Sequence, residues 1–212
     1  MTIAIVTIIG VILIFLYGKF AGIIICKVNN AEFCSSSLNM EWYKNPEGND
    51  MINYWVIKSR NAFKIAGWGK HARIIVSKRA NEYFLHPSRH ALLLHELGHL
   101  IYQYTYRRTI YIIVQFIIIY PILASFVGWW QVLLAALIFK IITFIFSTSV
   151  SLDMRNNELL ADLYAAKKMK EAKNLPALIR AYMELPNLRE SDEHPSINDR
   201  IKSMYEGTKD IN

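Results

Sequence analysis

The sequence predicts a mainly α-helical membrane protein, with about three transmembrane helices and a globular part that includes a small β-sheet. Three observations carry this. Apolar residues make up 53% of the 212-residue chain and charged residues only 19%, and the mean hydropathy is +0.20. That excess is uneven: it sits in Ile3–Leu16 and Thr109–Val150, the candidate bilayer segments, while the remainder reads as ordinary globular sequence. The globular stretches combine apolar residues at helical spacing with one β-branched run, Ala72–Val76.

The first element is a retained N-terminal anchor within residues 1–26. Its apolar run, Thr2–Tyr17, meets Lys19 and is short for a span, near the lower limit of about 17 residues. A cleaved signal peptide is the rival reading, but no basic region precedes the run and no small-residue cleavage site follows it. The second and third segments, Thr109–Val127 and Trp129–Val150, read as a helical hairpin over 109–150. Trp129 and Trp130 at its turn suit the membrane–water boundary, and Pro121 is expected to kink its first helix. Lys140 lies within the third segment, where a charge is costly in lipid.

Basic residues gather at one end of these segments: Lys19, Lys27, Arg107, Arg108, Arg155, Lys167 and Lys168. The positive-inside rule then places the N-terminus outside and the globular parts, 27–108 and 151–212, in the cytoplasm. The net charge of +7 belongs to these membrane-flanking residues, and no arginine-rich arm or RNA-binding aromatic motif accompanies it, so nucleic acid is not an expected partner. Cys26 and Cys34 show no CxxC spacing and read as reduced thiols.

The chemistry lies in His95-Glu96-Leu97-Gly98-His99, an HExxH motif. Apolar residues at 91, 94, 97, 98 and 101 put it on an amphipathic helix, for which Ser88 after Pro87 is the expected N-cap. The i, i+4 spacing sets both imidazoles on one face, as two ligands of a tetrahedral zinc require, and Glu96 is placed to act as general base. Should this helix run on into the membrane, the metal would sit roughly 15 Å from the bilayer edge.

A third ligand must come from another segment. Asn156–Asp162 opens a second helical stretch running to about Lys173, with Glu158 and Asp162 on one face. Glu158 can bind metal while Asp162 fixes an imidazole; taken alone, the two acids would equally suit a helix N-terminus. In His194-Pro195-Ser196, Ser196 with Asp199 resembles a capping box, so His194 lies on the loop entering the last helix and Arg200 one turn inside it.

Together these pieces resemble the membrane zinc metallopeptidase family that includes the heat-shock protease HtpX and the CAAX prenyl proteases. The matching parts are Asn61-Ala62-Phe63, the HExxH motif, the membrane hairpin, Glu158-Leu-Leu-Ala161-Asp162, His194-Pro195-Ser196, and Arg200-Ile201. HtpX-like proteins carry two membrane helices before the catalytic part, where this chain has one apolar segment. The resemblance implies a gluzincin-type endopeptidase with one zinc per chain, bound by His95, His99 and Glu158. It implies Glu96 as base, His194 as an oxyanion-stabilising catalytic residue, Asp162 orienting a ligand (His95), and Arg200 bracing Asp162. In peptidases of this type an edge strand beside the HExxH helix holds substrate, and Ala72–Val76 is either that strand or an ordinary core strand.

The expected partners are a protein or peptide substrate near the membrane and the lipid bilayer itself; oligomeric state is not legible. Two other functions compete. One is a zinc-binding regulator without catalysis, against which Glu96 argues. The other is a dedicated processing protease of the CAAX type, for which three segments are few to enclose a membrane chamber.

Overall fold

The computed structural model describes residues 2–36, 52–58, 63–84, 87–124, 152–171, 174–184 and 195–209. A long helix, α1 (Thr2–Val28), leads into a small sheet of β1 (Glu32–Ser36), β2 (Ile52–Ile57), β3 (Phe63–Ala66) and β4 (Arg73–Ser77). Helices α2 (Lys78–Tyr83), α3 (Ser88–Ile101) and α4 (Tyr104–Ala124) follow, then α5 (152–171), α6 (Leu175–Glu184) and α7 (Ile197–Glu206).

The first helix runs well past the expected end at Tyr17. Phe20–Ile25 is again apolar, so the helix continues beyond Lys19 and its last turns leave the apolar span to cover the sheet. Gly22 meets the carbonyl of Ala66 so closely that a Cβ there would collide with it. Nearer its start, α1 packs along α4. A side chain at Gly10 would strike Phe116, and one at Gly18 would come within 2.6 Å of Thr109 Oγ1. Rising numbers on α1 thus meet falling numbers on α4, so the two helices are antiparallel and approach through small residues, as membrane helices do. Among the described residues one helix, Ile3–Val28, is long and apolar enough to cross a membrane.

The strand order is β1-β2-β4-β3, with β2 and β4 parallel and the outer pairs antiparallel. The run expected at Ala72–Val76 is therefore β4, an interior strand hydrogen-bonded on both sides, and the edge beside it is β3. The pleat sorts side chains to two faces. Tyr54, Val56, Ile74, Val76, Phe63 and Ile65 face a core shared with Leu92, Leu93, Ala165, Met169, Leu178 and Met204. Trp55, Lys64 and Arg73 lie on the other side, where Arg73 stacks over the Trp55 ring.

Ser88, expected to cap this helix, is instead its first residue, and Pro87 occupies the cap position. The Ser88 hydroxyl donates instead to the carbonyl of Ala177, 3.4 Å away on α6. Nor does α3 continue into the membrane. It stops at Ile101, and Gln103 adopts a left-handed conformation (φ 56°) before α4 begins. The second half of the hairpin, with Trp129, Trp130 and Lys140, lies outside the described residues.

Candidate metal centre

The centre is made where α3 crosses α5. Gly98 permits the crossing: a Cβ on it would lie 2.7 Å from the Cα of Ala161, so the two backbones touch. His95 and His99 stand one turn apart on α3, and Glu158 and Asp162 one turn apart on α5. Contact at Gly98 and Ala161 brings the two pairs face to face. All four side chains are buried.

The distances are those of a metal site. His95 Nε2 lies 3.5 Å from Glu158 Oε2, and His99 Nε2 lies 3.3 Å from Glu158 Oε1. One ligand atom from each of the three residues falls within 4.8 Å of the others, so the group could hold a metal ion. Zinc bonds of 2.0–2.2 Å in a tetrahedron give ligand–ligand edges of about 3.3–3.6 Å. Two imidazoles and one carboxylate are a donor set typical of catalytic zinc, which leaves a fourth position open. The residues present fit zinc.

Behind the ligands lies a buried polar cluster. His95 Nδ1 is 2.9 Å from Asp162 Oδ1, although the ring N–H is turned off the line between them. Arg200 donates from Nε to Asp162 Oδ2 and from a terminal nitrogen to Oδ1, both at 2.7 Å, and also lies 3.2 Å from Glu158 Oε2. Arg200 is held there because Ser196 caps α7, accepting from the amide of Asp199 at 3.2 Å.

These contacts set the charges. Burial would raise the Asp162 pKa, but the Arg200 charge and its hydrogen bonds, with His95, hold the carboxyl below its ordinary value. Burial works against charge on His95 as well, yet the adjoining Asp162 and Glu158 carboxylates outweigh it and carry the metal-free imidazole up to about 9. Burial raises the Glu96 carboxyl, and the neighbouring imidazoles only partly offset this.

Of the residues expected from sequence, His95, Glu96, His99, Glu158, Asp162 and Arg200 come together here. His194 lies outside the described residues. Two others were not foreseen. Tyr182 on α6 donates to Asp162 Oδ1 at 2.6 Å, receives a hydrogen bond from Arg200 at 3.3 Å, and lies beneath the guanidinium, 4.5 Å from ring centroid to carbon. Its signal was the i, i+3, i+4 run of Leu178, Ala181 and Tyr182, all buried. Tyr104 rests on the His99 ring with centroids 4.9 Å apart. Only the break at Gln103 turns it there, since an unbroken helix would carry residue 104 about 140° round from His99.

A mixed sheet covered by an HExxH helix, with a glutamate delivered from a crossing helix, is the architecture of a zinc metallopeptidase. A profile of peptidase family M48 matches residues 44–207, more than half of the chain, and the chain belongs to that family, whose metallopeptidases use zinc. The resemblance to the HtpX and CAAX prenyl protease family is borne out. Among solved structures, the crystal structure of S. mikatae Ste24p aligns with a TM-score of 0.58 at 15% identity, over 95% of this chain and 56% of that one. The chain thus spans little more than half the length of Ste24p, and the likeness is one of fold. No curated protein sequence matches significantly.

Proposed function

We propose that the protein is a zinc-dependent integral-membrane endopeptidase that cleaves membrane or membrane-proximal proteins at the cytoplasmic face. The observation that carries this is the convergence of His95, His99 and Glu158 at zinc-ligand spacing, with Glu96 buried beside them.

In this reading His95 Nε2, His99 Nε2 and a Glu158 carboxylate oxygen hold the ion. When bound, zinc polarises the scissile carbonyl and makes water a nucleophile at neutral pH. Glu96 takes the proton of the attacking water and returns it to the leaving amine. Asp162 holds the His95 ring, and Arg200 and Tyr182 hold Asp162. His194 donates to the developing oxyanion. The substrate pairs in extended form with β3, the edge strand, which packs against α3 more extensively than β2 or β4 does.

The membrane arrangement is three spans: α1, α4 and a return segment within 125–150, with the peptidase parts at 27–108 and 151–212. Support comes from Arg107, at the start of α4, which forms an ion pair with Asp153, at the start of α5. Ala124 is roughly 25 Å along α4 from Arg107. The pairing of Arg107 with Asp153 sets the start of α4 beside the start of α5, as the two feet of a hairpin would lie. Basic residues at this end favour the cytoplasm.

Glu96→Gln tests the mechanism. It should retain about one zinc per chain and lose proteolysis by about 10²- to 10⁴-fold. Unchanged cleavage would sink the assignment.

A further inference from the structure

The segment joining β3 to β4 has features that peptide hydrolysis does not use. Gly67 (φ 78°) lies so close beneath the Lys19 carbonyl of α1 that a Cβ there would come within 2.9 Å of it. Thr105, at the start of α4, donates to the Gly67 carbonyl at 2.6 Å. Trp68 is wedged edge-on between Phe15 of α1 and Tyr106 of α4, with centroids 5.3 and 5.5 Å away. The turn is thus fastened to both apolar helices where their basic ends begin. Its tip is open, because a Cβ on Gly69 (φ 56°) would meet nothing within 4 Å.

Basic side chains surround that tip, with His71 held neutral by desolvation and by the charges of Lys70, Lys19 and Arg73. The His71 ring packs on Phe20 at 4.6 Å, and the Lys19 ammonium lies over the same Phe20 ring at 5.7 Å. Lys70 is exposed on the turn, and its carbonyl accepts from Arg73 at 3.2 Å. Among the described residues no carboxylate pairs with Lys19, Lys70 or Arg73. An indole set between two apolar helices, next to a cluster of basic side chains, matches the chemistry of a membrane surface: an apolar boundary below, phosphate above.

We propose that the 67–72 turn, together with Lys19, is a headgroup site for anionic phospholipid. Trp68 sits at the acyl boundary, while Lys19, Lys70 and His71 receive the phosphate and Arg73 adds charge behind them. This rests on the membrane reading above. Because β3 runs directly into the turn, lipid held there sets the edge strand beside the bilayer surface, where a membrane-proximal substrate arrives.

The test uses the full chain, zinc-loaded, in bilayer discs of equal phosphatidylcholine and phosphatidylglycerol, with retained lipid counted by native mass spectrometry. Wild type should hold phosphatidylglycerol preferentially. Lys19→Gln with Lys70→Gln should reduce that enrichment on the order of tenfold, while zinc content and cleavage of a soluble peptide in detergent stay unchanged. Lys19→Arg with Lys70→Arg should restore the enrichment. Equal enrichment in wild type and the glutamine variant overturns the proposal. So does displacement of the lipid by inorganic phosphate, which would mark a site for a free anion. A chain that fails to enter the discs at all refutes the membrane reading itself, and is seen before any lipid is counted.

Discussion

Asp162 is the most contested group near the metal site. Its two oxygens face His95, Tyr182 and Arg200. A fully buried carboxylate survives only when paired and hydrogen-bonded, and removing one partner leaves the other charge stranded. Arg200→Leu should therefore destabilise the fold by about 3–5 kcal/mol, readable as a fall in the thermal midpoint in detergent. Tyr182→Phe keeps the ring and removes one donor, at a cost of about 1–3 kcal/mol; chelator competition should show weaker zinc retention. The pH dependence follows from the depressed Asp162 pKa. Its contribution to stability is present above the unfolded value, about 3.9, and is lost as pH falls through the lower folded value. Asp162→Asn should flatten the acid limb of the stability profile, and an unchanged acid limb would refute the linkage. His95, Glu96 and His99 were legible from spacing alone. Tyr182 was not, because a tyrosine on an amphipathic helix looks the same whether it packs or donates to an acid.

At the scale of elements, the crossing of α3 and α5 makes the site. Gly98 lies inside the HExxH motif without any chemistry of its own, and its value is that it has no side chain. Gly98→Val would force the helices apart at Ala161 and move Glu158 away from both imidazoles. Overpacking of this kind costs about 1–3 kcal/mol. Zinc content should fall along with activity, whereas Glu96→Gln loses activity alone; metal analysis of the two variants side by side separates these effects. The break at Gln103 works at the same scale. The apolar period ends at Ile101, and whether the helix ran on into the apolar segment was left open by the sequence. A left-handed residue leaves no mark in a hydrophobic pattern, and here it is a glutamine rather than a glycine. The sheet taught the same lesson: Ala72–Val76 was recognisable as a strand, but its place between β2 and β3 was not.

At the scale of the whole molecule, the proposed topology makes a direct prediction. The protein should resist extraction by alkaline carbonate, and a C-terminal tag should be labelled only after permeabilisation, while an N-terminal tag is reached from outside. Labelling of both tags in intact cells would refute the hairpin. The sequence by itself determined which residues could bind metal, because ligand chemistry and helical spacing are local properties carried by adjacent turns of chain. It also determined that one end of the apolar segments is basic. Tertiary structure decided which acid meets which imidazole, that Tyr182 and Tyr104 join the site, and that β3 rather than β4 is the edge. Those outcomes depend on contacts between residues far apart in the chain, and local pattern carries no record of which distant surface each face will meet.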